Sequence, residues 1–200
     1  MANFLITLGF GVSAIFFCLI SGVVDISKFT NKKEKQEKLY ASLTKSLRRF
    51  GTLKSYEVLG KTTLKFEDET HTFDAILLGY FGTIAVTADY HTGEIYGQAN
   101  DERWTCIFNN EKTYFPNPLT ATNGTVRFFK DIYKTEKIKS GNVDSVVIFA
   151  SKKSSLFTGK NNSVITIDDI NNKLGASKYI TDNGADIEAM KKAIEKYTVK

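Results

Sequence analysis

The chain has 200 residues, 27 Lys and Arg against 22 Asp and Glu, 42% hydrophobic and 12% aromatic residues. That is an ordinary globular mixture, which excludes wholesale disorder, a collagen-like repeat and a multi-pass membrane protein. Two cysteines and two histidines (Cys18, Cys106, His71, His91) exclude a disulfide scaffold, a Cys-based zinc site and a three-His metal centre.

The first segment is apolar. Phe4 to Val24 runs 21 positions without a charge. At about 1.5 Å per residue this helix would reach roughly 30 Å, the thickness of a bilayer's hydrocarbon core. No basic residue precedes it and no small-x-small cleavage pattern follows, so it reads as an uncleaved single-pass anchor. Nine Lys and Arg against three acids then fill residues 25–54, a local charge of +6, while the remainder balances to −1. The positive-inside rule therefore expects residues 25–200 in the cytoplasm, with the lysines close to anionic head groups. The expected organisation is an anchor over 1–25, a basic juxtamembrane stretch over 26–33 and a folded domain over 34–200.

Within that domain, Leu39, Leu43, Leu47 and Phe50 predict an amphipathic helix over 33–50, stopped at Gly51. Short strands follow at 55–59 and 62–66, with an acidic turn at 67–69. One strand is expected over 71–78, linked through Gly79-Tyr80-Phe81-Gly82 to another at 83–89. Further strands are predicted at 93–97, 103–108 and 112–115, and a helix over 119–137. The apolar run 145–150 reads as a strand covered on both faces. A strand at 164–166 leads into a helix that Thr166 and Asp169 cap and Gly175 ends. The last helix spans 186–197. This order gives an α/β fold with a mixed central sheet flanked by helices.

The constellation with chemical promise is in the middle hairpin. Asp74 lies on one strand, and Thr87, Asp89 and His91 share a face of the next extended stretch, because side chains alternate with period two. Carboxylates facing one another across strands supply the hard oxygen ligands that hold Mg²⁺ against a scissile phosphate. Asp74, Asp89 and His91 form a candidate metal set. Trp104 with Tyr90, Tyr96 and Phe108 could form a base-stacking platform, although packing is the commoner use of such aromatics.

At these residues the sequence resembles the nuclease-related domain family, NERD, of the PD-(D/E)XK nuclease-like group. The resemblance rests on Phe73–Gly79, Gly82–Val86, Thr92–Gly97, Trp104, Asn117-Pro118-Leu119, Ser145–Phe149 and the stretch 165–174. It implies a restriction-endonuclease-like fold and, when the site is active, Mg²⁺ or Mn²⁺. It also implies an acidic residue of the first helix at Glu37, and an N-terminal anchor is common among members. The catalytic pattern departs from the family. Its Glu-x-Lys falls on Thr87 and Asp89, its Gln on Ala121 and its helix His near Thr125, and Asp74 alone matches. The expectation is a non-catalytic binding or scaffold module at the membrane that needs no cofactor and has a protein partner. Asp74, Asp89 and Glu37 would be vestigial catalytic positions. The alternatives are a metal-dependent nuclease with a rearranged site on Asp74 and Asp89, and a structural subunit that binds only protein. The near-neutral body lends nucleic-acid binding weak support.

Overall fold

The computed structural model describes residues 32–159 and 163–199. The expected span 4–24 lies outside them. Among the described residues no helix is long and apolar enough to cross a membrane. Two compact units are distinguished, 1–38 and 39–200. The described part of the first is the start of helix α1 (residues 32–54), where Lys38 pairs with Glu34 one turn back.

The second unit takes up α1 from Leu39. Leu43, Leu47 and Phe50 are buried, as the apolar period requires. The helix does not stop at Gly51. It runs three residues further, and Ser55 takes the left-handed turn with φ 57° while the Tyr56 N–H closes on the Gly51 carbonyl at 2.8 Å. Gly51 serves close packing instead, since a Cβ there would meet Val58 Cγ2 at 2.5 Å.

The strands are β1 (Glu57–Leu59), β2 (Thr62–Phe66), β3 (Glu69–Phe73), β4 (Ala75–Gly79), β5 (Gly82–Asp89), β6 (Gly93–Tyr96), β7 (Arg103–Phe108), β8 (Glu111–Pro116), β9 (Asn142–Phe149), β10 (Ser154–Phe157) and β11 (Val164–Thr166). The single strand expected over 71–78 is two. β3 pairs with β2 in a separate hairpin, and β4 enters the main sheet after a break at Asp74. The main sheet has the order β1-β4-β5-β9-β11 and is mixed. β4 runs antiparallel to β1 and β5, whereas β9 is parallel to β5 and β11. A second sheet, β10-β6-β7-β8, was not foreseen as a separate layer, and β10 was not foreseen at all.

The helix expected over 119–137 is broken. A 3₁₀ turn (Pro118–Thr122) precedes α2 (Thr125–Thr135), and Gly124 between them sits at φ 78°. α3 (Ile170–Leu174), α4 (Ser177–Ile180) and α5 (Ile187–Tyr197) complete the chain, with Asp186 Oδ1 capping α5 through the Ala189 N–H at 2.9 Å. The Thr166 hydroxyl reaches the Asp169 carboxylate at 2.8 Å but caps no backbone N–H.

The main sheet is covered on both faces. Ile84, Val86, Val146 and Ile148 pack with Leu43, Leu47, Ile170 and Leu174 on one side. Ile76, Leu78 and Ala85 pack with Phe128, Phe129, Tyr133 of α2 and Met190, Ile194 of α5 on the other. The inner face of the second sheet (Ile95, Trp104, Cys106, Phe115) closes on Val147, Phe149 and Val164 in a third cluster. Residues of β9 thus serve all three cores, consistent with its continuous apolar run.

Asp144 on β9 ties α4 to the sheet. Its Oδ2 accepts from Lys178 Nζ and from the Tyr179 hydroxyl at 2.7 Å. Burial pushes this carboxyl up, but those two hydrogen bonds, the Lys178 charge and the Ser145 N–H together hold it below the usual carboxylate range. Such a group stabilises the fold above the ordinary carboxylate pKa, and that contribution is lost as pH falls through the lower folded value. The melting temperature should therefore drop as pH falls from about 5 to about 2, and drop less over that window in Asp144→Asn. Equal pH dependence in both proteins would show that Asp144 does not contribute.

Candidate functional site

Asp74 stands at the junction where β3 leaves the β2 hairpin and β4 joins the main sheet. Its N–H donates to the Val86 carbonyl at 2.9 Å. The β4–β5 register ends at Ala75 and Val86, so Asp74 lies one residue before the paired stretch, beside the end of β5 that carries Thr87. The carboxylate turns back onto the strand, and Oδ2 accepts the Ala88 N–H at 2.8 Å. The Tyr90 phenol lies close enough for the Asp74 charge to act on it. Burial, then the Asp74 charge, push the Tyr90 phenol well above its usual pKa, so it remains neutral. Tyr40 of α1 completes the enclosure. Its hydroxyl donates to the Asp74 carbonyl at 3.2 Å and accepts the Lys61 N–H at 2.9 Å.

Asp89 is two residues beyond Thr87, at the end of β5. Its Oδ1 accepts both the backbone N–H and the ring Nδ1 of His91, each at 2.8 Å. The imidazole stacks on Phe115 at 3.9 Å between centroids, and the His91 carbonyl accepts the Ser154 hydroxyl at 2.7 Å. Asp89 and His91 are therefore brought together, but as a local pair at a strand exit. Among the described residues no group of three His, Cys, Asp or Glu could hold a metal ion. Asp74, Asp89 and His91 are not gathered into one ligand set. Glu37 is an exposed residue of α1 in the first compact unit.

The remaining expected positions have structural roles or none. Asn117 is buried and holds the loop that precedes β7. Its Nδ2 donates to the Ala99 and Asp101 carbonyls at 2.9 and 2.8 Å, and its Oδ1 accepts the Leu119 N–H at 3.0 Å. Thr125 opens α2 with a buried hydroxyl that has no hydrogen-bond partner. Ala121 lies in the 3₁₀ turn. Trp104 is a core residue, 0% exposed, which is the packing role that such aromatics more commonly have, so it offers no surface to a base. Cys106 is buried, donates to the Thr92 carbonyl at 3.3 Å and has its thiol pushed up by burial. It is packed rather than nucleophilic.

The model of one protein family, the nuclease-related domain (NERD), matches residues 32–150, more than half of the chain. The chain belongs to the nuclease-related domain family. That match begins within α1 and ends just past β9, so it takes in Asp74, Thr87 and most of the second sheet. No curated relative and no solved structure gives a significant match. The mixed sheet between helices agrees with a nuclease-like domain. In this NERD domain the residues that contact Asp74 are ones that sequence reasoning missed. Tyr40 lies 34 positions upstream. Tyr90 follows the strand end, and no spacing rule marks either as its partner.

Proposed function

We propose that this nuclease-related domain is a non-catalytic binding or scaffold module. Residues 4–24 would anchor it in a membrane, with the following domain in the cytoplasm. One observation carries the reading. The family's Glu position falls on Thr87, which has no charge for a divalent ion, and among the described residues no group of three His, Cys, Asp or Glu gathers round Asp74 to hold one. The Ala88 N–H takes up one oxygen of the Asp74 carboxylate, and the lone pairs left over make a single ligand rather than a site. Asp89, in the place of the family's lysine, brings a negative charge where a positive one would stabilise a phosphorane-like transition state. The partner of such a module is a protein.

The test is direct. The full chain is incubated with single- and double-stranded DNA and RNA in Mg²⁺ or Mn²⁺. The expected result is no metal-dependent cleavage and identical traces for the parent and for Asp74→Ala. Cleavage that needs the ion and disappears in Asp74→Ala overturns the reading. It would favour instead a rearranged nuclease on Asp74 and Asp89, whose charges both act on the Tyr90 hydroxyl. That alternative requires an ion within about 2.0–2.6 Å of both carboxylates.

A further inference from the structure

The outer face of the second sheet carries a row of exposed aromatics. The registers align Phe157 of β10 with Tyr96 of β6, Tyr96 with Thr105 of β7, and Thr105 with Tyr114 of β8. Residues in register point to one face, so this row crosses all four strands on the side away from the core. Phe157, Tyr96 and Tyr114 are 50%, 37% and 56% exposed. The Phe157 and Tyr96 rings stack in parallel, 4.7 Å apart and 10° from coplanar. Strands lie about 4.8 Å apart, so Tyr114 stands about 10 Å from Tyr96 across the small Thr105. The face is thus two aromatic ridges with a shallow trough between them.

Its charges are placed with the rings. Arg103 and Lys112, exposed on the same face, approach the Tyr114 ring at 5.6 and 5.1 Å from its centroid. Lys152 and Lys153 are exposed at the turn leading into β10, at the opposite end of that strand from Phe157. The acid of the face, Glu94, accepts the Tyr96 hydroxyl at 2.8 Å. Core patches of protein interfaces are enriched in aromatics and arginine but depleted in lysine. Here cations alternate with aromatic rings, and Ile107, the aliphatic of this face, is only partly exposed.

We infer that this sheet face binds single-stranded nucleic acid, with bases stacked on Phe157–Tyr96 and on Tyr114, and phosphates held by Arg103, Lys112 and the lysines before β10. Stacking on aromatics suits any base, and a sheet can present such rings only to bases that are not already stacked inside a duplex. The site lies on a different sheet from Asp74, so it goes beyond the function proposed above. The two fail separately, one on binding and the other on cleavage.

The probe is a fluorescently labelled oligothymidylate of about 15 nucleotides, titrated with the full chain in mild detergent. The expected result is binding that weakens with salt and exceeds binding to a duplex of equal length. Tyr96→Ala and Tyr114→Ala should each weaken it about ten-fold. Lys112→Ala should lower the slope of log affinity against log salt by about 0.7. Unchanged melting temperatures would establish that these exposed substitutions leave the fold intact. No binding at low salt overturns the inference, as does binding indifferent to Tyr96 and Tyr114, which would place the oligonucleotide on the basic stretch at 28–54. Self-association of the parent that Tyr114→Ala abolishes also overturns it and assigns the face to a second copy.

Discussion

Trp104→Ala should lower the unfolding free energy by about 3–5 kcal/mol, the usual cost of truncating a large buried aromatic. Few sites in the chain carry as much. The indole is 0% exposed, stacked parallel to Phe149 of β9 at 6.5 Å and met edge-on by Phe115 of β8 at 6.4 Å. It therefore joins the second sheet to the main one. Its Nε1 donates to the Gln98 carbonyl at 2.9 Å; that carbonyl keeps the Asp101 N–H at 3.2 Å in the alanine variant, so the cost is mainly lost packing. The surroundings cannot close the gap easily. The backbone of Gly97 lies so near the ring that a Cβ there would come within 2.3 Å of it. Domains are stable by only about 5–15 kcal/mol, so the variant would be near or past its threshold. Denaturant titration of parent, Trp104→Ala and Trp104→Phe measures this. A loss below about 1 kcal/mol for the alanine would mean that the two sheets do not depend on one another through this residue.

The same residue illustrates how far the sequence can be read. Arg103–Phe108 is visible as a strand from its alternation, and alternation even assigns Trp104, Cys106 and Ile107 to two faces. It does not say which face meets another sheet. That depends on β10, a four-residue strand, Ser-Ser-Leu-Phe, whose parallel pairing with β6 is set by contacts some sixty residues apart in sequence. Sequence alone therefore groups Trp104 with Tyr96, whereas the structure buries the first and exposes the second on the opposite face. Local signals fared better where the turn itself is local. The β4–β5 hairpin follows from its bracketing glycines, and the β7–β8 hairpin from Asn109 and Asn110, both at positive φ. The break at Asp74 was invisible because β3 and β4 are both good strands. They part only because their partners differ, β2 for one and β1 with β5 for the other.

The site was half legible for a related reason. The two-residue hairpin brings the start of β4 against the end of β5, with Ala75 on Val86, and so sets Asp74 beside β5 whatever the family. The fate of the carboxylate is not fixed by that spacing. It is decided by the Ala88 N–H, which the broken ladder leaves open to a side chain, and by Tyr90, brought back against it at the strand end. Tyr40 then clamps the Asp74 carbonyl from α1. A lone half-buried carboxylate needs donors, and here the Ala88 N–H provides one.

Thr87→Glu is the substitution with the other large expected effect. It adds a second carboxylate on β5, next to Ala88, whose N–H holds Asp74. Two neighbouring carboxylates cannot both ionise without cost, so one must bind a proton or the site must open. In the presence of a chelator the variant should lose about 3 kcal/mol at neutral pH, since a charge is added without a partner. Mn²⁺ relieves that repulsion by binding between the carboxylates. A ligand at a hundred-fold excess over its dissociation constant stabilises the folded state by about 2.7 kcal/mol, so the variant's melting temperature should rise steeply with Mn²⁺ while the parent's stays flat. Adding Tyr90→Phe, which removes the phenol hydroxyl near Asp74, should strengthen the response. A Thr87→Glu protein that is destabilised but insensitive to Mn²⁺ would mean that the hydrogen bond to Asp74 outcompetes the ion. The present site would then be committed to its structural role and not one substitution away from binding metal.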